Sequence, residues 1–107
     1  MSQGIIMGNV AGIYLLSLTI NPASVATITT AEQTFTMTGV KVGDMVYASK
    51  PSNTTGLGIC NARVSAADTV AISFVNPTAG GVDAASETWN LLVIRPAGSV
   101  AATSISD

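Results

Sequence analysis

Histidine is absent, cysteine occurs once, and four basic and six acidic side chains are all the charge that 107 residues carry. Each shortage removes a class of chemistry. Without histidine the chain lacks the commonest general base and the commonest neutral metal ligand. With Cys60 alone it forms neither an intrachain disulfide nor a paired-cysteine zinc site, and Cys60 reads as a small residue buried in a strand. Lys41, Lys50, Arg63 and Arg95 stand singly along a chain of net charge −2. Phosphate binding needs clustered basic residues, so no nucleic-acid partner is expected. The acids fall at predicted strand ends and turns, where solvated charges belong. Asp44, Asp68 and Asp83 carry oxygens, yet no D-x-[DN]-x-[DN]-G spacing of a calcium loop occurs. Gly56-Leu57-Gly58 with Asn61 is a fragment of a glycine fingerprint, and it leads into a strand where a nucleotide site requires a helix. No enzymatic activity, metal or cofactor is expected.

Apolar runs long enough for a membrane are missing too. Ile13 to Ile20, followed by Ser24-Val25-Ala26, faintly resembles the apolar region and cleavage site of a secretory signal, but no Lys or Arg precedes it. Gly12 and Asn21-Pro22 break it well short of the roughly 20 residues a membrane helix needs. It reads as a strand, and no membrane association is expected.

Apolar residues make up 48% of the chain and charged residues 9%, against about 25% charged in an average soluble domain. A chain of this length makes one domain, residues 1–107, with an N-terminal arm over 1–10 and a C-terminal tail over 97–107. So few solubilising charges favour burial against further copies or a larger assembly, and a homo-oligomer is expected.

Period-2 alternation runs through the chain. Ile5-Ile6-Met7, between Gly4 and Gly8, reads as an arm or first edge strand. Gly12 to Ile20 reads as a strand that Asn21-Pro22 stops. Val25–Thr30 and Thr34–Thr38 read as two strands about a turn at Ala31-Glu32-Gln33, with Val25, Phe35 and Met37 in the core. A turn at Val40–Asp44 precedes a strand over Met45–Ser49. Leu57–Val64 and Thr69–Val75 form a hairpin about Ser65–Asp68, where Ser65 caps a single helical turn. Its core members are Ile59, Val64, Val70, Ile72 and Phe74. Glu87 to Arg95 is the last strand, with Trp89, Leu91 and Val93 on one face, Leu92 and Ile94 on the other, and burial on both sides near its end. Seven or eight short strands with almost no helical period predict an all-β fold, a small antiparallel β-sandwich or jelly-roll-like barrel.

Four residues stand out as candidate interface positions. Arg63 and Arg95 lie in or at the end of apolar strands, where an unpaired charge is costly; each pairs either with Asp68 or Glu87 inside the subunit or with a neighbour. Lys50 and Asn53 bound and occupy the polar loop Pro51–Gly56, a surface segment suited to contact. Asn53-Thr54-Thr55 also matches a glycosylation acceptor, a match too easily made by chance to carry weight.

Val42-Gly43-Asp44-Met45-Val46, Lys50-Pro51, the block Gly56 to Val70, Asn76-Pro77-Thr78-Ala79-Gly80 and Leu92-Val93-Ile94-Arg95-Pro96 together resemble a family of small tailed-bacteriophage virion proteins, the capsid decoration (cement) or head-fibre proteins. Asn61-Ala62-Arg63-Val64-Ser65-Ala66-Ala67-Asp68-Thr69 is the most specific part, and the likeness spans Thr34 to Pro96. It implies a β-sandwich-like subunit, trimeric, made in the host cytoplasm and seated on the outer face of a phage head against the major capsid protein. The alternative is the base of a fibre or spike whose loops Pro51–Gly56 and Asn76–Ala85 bind a host-surface receptor. Aromatic platforms favour such binding, yet all five aromatic residues fall in predicted strands.

Overall fold

A computed structural model describes residues 9–98. The protein is all-β: six antiparallel strands, β1 (Val10–Ile20), β2 (Thr29–Thr36), β3 (Met45–Ser49), β4 (Gly58–Ala66), β5 (Thr69–Asn76) and β6 (Glu87–Pro96), form one sheet in the order β1-β6-β3-β4-β5-β2. A single residue pair, Met45 with Arg63, joins β3 to β4. The sheet therefore divides into two three-stranded halves hinged at that pair. β6 is the centre of one half and β5 of the other, and the inner faces of the halves meet in a sandwich-like core.

Alternation builds that core. Opposite residues in an antiparallel pair share a face. Trp89, Leu91 and Val93 of β6 therefore point inward with Leu18, Leu16 and Tyr14 of β1, while Ala48 and Val46 of β3 flank Leu91 and Val93. From the other half come Val70, Ile72 and Phe74, with Val64 and Ala62 of β4 and Phe35 and Ala31 of β2 beside them. Phe74 meets Trp89 edge to face, ring centroids 6.1 Å apart at 77°, the geometry favoured by the positive edge and negative face of aromatic rings. Trp89 is fully buried, and its Nε1–H has no acceptor among the described residues.

The ends of the core are polar and tied. Asn76, wholly buried, donates through Nδ2 to the Val25 carbonyl (3.0 Å) and the Gly80 carbonyl (2.8 Å), and its Oδ1 accepts from the Thr78 N–H and hydroxyl. That shapes the loop after β5. At the opposite end, the Asp68 carboxylate accepts the Gly39 N–H at 2.7 Å, Met37 N–H donates to the Asp68 carbonyl, and Asp68 N–H donates to the Val40 carbonyl. The hairpin tip thus clamps the β2–β3 connection.

The 45–49 strand, the strand ending at Ile20 and the last strand lie where the sequence predicts. Val25 and Met37 are buried, and Phe35 packs half-buried against the core. Other expectations are corrected. Ala31-Glu32-Gln33 is not a turn: β2 runs through it, because the three residues pair with Phe74, Ser73 and Ile72 of β5, Ala31 and Gln33 face inward, and Gln33 exchanges two hydrogen bonds with the backbone of Ala23. Val25 makes only an isolated bridge to Val82. The β4–β5 turn tightens to Ala67-Asp68, with Asp68 at φ +58°, and Ser65 continues β4 instead of capping a helical turn. An irregularity between Ile59 and Asn61 turns that end of β4 outward, so Ile59 and Cys60 are exposed rather than buried. Merging two expected strands into β2 leaves six strands among the described residues. The predicted Ile5–Met7 strand and most of the C-terminal tail lie outside them.

Candidate functional site

The six paired charges sit on three intramolecular ion pairs. β6 reads Glu87-Trp89-Leu91-Val93-Arg95 along its inward face, so a charge stands at each rim of an apolar stripe. Lys50 Nζ meets Glu87 Oε1 at 2.7 Å, and the Ser52 hydroxyl hydrogen-bonds Glu87 Oε2. At the other rim Arg95 Nε and Nη2 clasp Asp44 Oδ1 and Oδ2 at 3.0 and 2.7 Å, and Nη2 also donates to the Gly39 carbonyl. The guanidinium lies 5.5 Å from the centroid of the Tyr14 ring, within cation–π range. On the outer face Arg63 grips Glu32 with two 2.8 Å bonds across the intervening strand β5.

Each guanidinium or ammonium holds its acid's carboxyl below the usual range. Hydrogen bonding to Arg63 does so at Glu32, to Arg95 at Asp44 and to Lys50 at Glu87, with burial opposing in each case. The same bonds raise Arg63 and Arg95 above the ordinary arginine value. The partners expected for the arginines are thus replaced: the Asp68 carboxylate serves the Gly39 N–H, and Glu87 serves Lys50.

Of the four predicted interface residues, only Lys50 and Asn53 come together. Both line a cleft of about 660 Å³ where β3 and β4 splay apart beyond the Met45–Arg63 pair, with Tyr47, Ile59 and Cys60 also on its walls. Arg63 lies on the outward face of the β2–β5–β4 half. Arg95 borders a separate hollow of about 220 Å³ with Tyr14, Leu16 and Val40. No group of three or more His, Cys, Asp or Glu side chains among the described residues is placed to hold a metal ion. No helix among them is long and apolar enough to cross a membrane.

The most distinctive surface is the outward face of the β1–β6–β3 half. Register puts Leu15, Leu92 and Tyr47 in one row across the three strands, and Ile13, Ile94 and Met45 in the next. Leu15 is 82% exposed and Tyr47 68%; Ile13 and Met45 are also exposed, and Leu92 and Ile94 half-buried. From strand spacing, the backbone beneath these rows is about 10 Å wide and about 7 Å long. Ser17, Asn90 and Ser49 form a polar row beside it. The matching face of the other half carries Glu32, Thr34, Asn61, Arg63 and Ser73. Single exposed apolar residues are ordinary, whereas a contiguous apolar patch marks an interaction site. Sequence reasoning missed it because apolar residues on both faces of the last strand read as burial on both sides near its end. Among the described residues no second layer covers the outward one.

Compared with known proteins, the chain matches no family model, no curated protein and no solved structure.

Proposed function

We propose that this chain is a structural virion protein that decorates a bacteriophage head, docking the apolar outward face of β1–β6–β3 on the outer surface of the major capsid protein lattice. The observation that carries the reading is the pair of apolar rows, Leu15-Leu92-Tyr47 and Ile13-Ile94-Met45, left open on an otherwise tied subunit. The sequence resemblance and the low charge support it. Docking here removes apolar surface from water without stripping water from any charge. Repeated over a symmetric shell, many modest contacts add up. A protein that binds only the assembled, expanded shell stabilises it by RT ln(1 + [L]/Kd), about 2.7 kcal/mol per site when free protein is 100 times Kd.

Heads stripped of the protein and then re-saturated with it test the reading. Re-saturation should raise the temperature at which heads release DNA. A Met45→Glu/Tyr47→Glu variant should neither co-sediment with heads nor raise that temperature. Equal head stability with and without the protein, or full binding by the double variant, refutes it. Binding to whole host cells instead of heads would transfer the chain to the fibre or spike class.

A further inference from the structure

β1 is an edge strand. β6 pairs with one side of it and, among the described residues, nothing pairs with the other. An open edge presents unpaired N–H and C=O groups, and proteins blunt such edges with lysine, proline, bulges or a covering segment. β1 contains no charge and no proline, and its irregularity is confined to Val10–Gly12. Apolar side chains at its centre are exposed in both directions: Ile13 and Leu15 on the outward face, Tyr14 and Leu16 on the inward one.

We infer that β1 pairs antiparallel with β1 of a second copy about a two-fold axis at Leu15, merging two subunit sheets into one. Three observations select a second copy. Backbone groups along an open edge are satisfied by another strand, not by a globular surface. A two-fold axis sets every charge near it against its like, and the first charged residue in the chain is Glu32, so β1 meets itself without repulsion. The opposite edge, β2, carries Glu32 and lacks that freedom.

The register follows from the strand itself. Leu15, the most exposed of the large apolar side chains, is the midpoint of Val10–Ile20. An axis there pairs the whole strand: Leu15 with Leu15, Tyr14 with Leu16 reciprocally, and Ile13 with Ser17. An axis at Leu16 would set Leu15 against Ser17. The pairing uses the strand edge rather than the outward face, so it does not depend on the capsid reading. It predicts a two-fold assembly where the sequence resemblance implies a trimer.

Sedimentation equilibrium of the full chain should give twice the 10.8 kDa subunit mass. Leu15→Lys should return it to the single mass, with the dimer dissociation constant raised at least tenfold and an unchanged far-ultraviolet circular dichroism spectrum. Directly opposed residues of an antiparallel pair lie about 4.5–5.5 Å apart, within disulfide reach. In a Cys60→Ser background, Leu15→Cys should therefore oxidise to a covalent dimer, while Thr19→Cys, facing Ala11 of the partner subunit, should not. A monomeric or three-copy mass overturns the pairing. A dimer that Leu15→Lys leaves intact, or cross-linking at position 19 but not at position 15, overturns it equally.

Discussion

Replacing Asp44 by Asn keeps the shape of the side chain and removes the charge on which the β2–β3 connection is anchored. The Asp44 side chain is 3% exposed, against 26% for Arg95. It accepts two bonds from Arg95 and one from the Lys41 N–H at 3.0 Å, and Asp44 N–H donates back to the Lys41 carbonyl. A hydrogen bond to a charged group contributes about 1.5–3 kcal/mol net, and removing one partner of a fully buried ion pair costs about 3–5 kcal/mol because the other charge is left uncompensated. The solvent that reaches Arg95 argues for the lower range, so Asp44→Asn should destabilise the fold by about 2 kcal/mol and lower Tm by about 8 °C in a domain of this size. Trp89, the sole tryptophan and fully buried, reports unfolding in urea. The pH dependence tests the cause. Arg95 holds the Asp44 carboxyl below its ordinary value, so the unfolded chain takes up this proton at about pH 4 and the folded chain only at lower pH. Between those values the unfolded state binds more protons, and stability falls as pH falls. Full stabilisation is therefore present above about pH 5. The gap between the native chain and Asp44→Asn should be largest at neutral pH and close on acidification. Glu32 and Glu87 titrate in both proteins and cancel in the difference. A gap that stays constant from pH 7 down to pH 2.5 refutes the reasoning, as does one under about 0.5 kcal/mol at pH 7, the ordinary spread for a surface substitution.

Phe74→Ala should remove about 3–5 kcal/mol, the usual loss for a buried aromatic ring, and shift Trp89 emission to longer wavelength as water reaches the indole; an unshifted spectrum would mean that the two halves do not close on this ring pair. Asn76→Ala removes the Nδ2 donor from the Val25 and Gly80 carbonyls, which keep the Val82 N–H and the Thr78 hydroxyl, and removes the acceptor of the Thr78 N–H; it should cost about 2 kcal/mol in urea unfolding, whereas an exposed, independent loop would show no change. Glu32→Gln should leave the unfolding midpoint where it is, with or without 1 M NaCl, because its bond to Arg63 lies on a face open to solvent and salt; a clear loss measured at low salt would show that the pair does brace β2 and β4.

Period 2 reached the inward stripes of the fold. Val70, Ile72, Phe74, Trp89, Leu91 and Val93 all take the buried positions that it assigns them. It failed where a long-range contact overrules local chemistry. Ala31-Glu32-Gln33 reads as a turn until the ladder with β5, about 40 residues on, and the Ala23 backbone supply partners that hold it extended. Ile59 and Cys60 read as core until an irregular register in β4 and the divergence of β3 open that corner. The outward rows were hidden for a related reason. An apolar run signals burial without saying what buries it, and Ile13, Leu15, Leu92 and Ile94 belong to a face that the described part of the chain leaves uncovered.

The scarcity of charge acquires a meaning once the pairs are placed. Lys50–Glu87 and Asp44–Arg95 stand at the two rims of the inward stripe of β6, and Glu32–Arg63 lies on the outward face of the other half. None of these six residues contributes a side chain to the rows built by Ile13, Leu15, Met45, Tyr47, Leu92 and Ile94. Association through those rows therefore has no charge to steer it or to screen, and its driving force is the removal of apolar surface from water. Such binding strengthens in sulfate, weakens on cooling and responds little to sodium chloride, whereas a contact carried by Arg63, Arg95 or Lys50 would weaken as salt rises. The response of head binding to these two salts thus decides between the apolar rows and the four polar residues that the sequence alone brings forward.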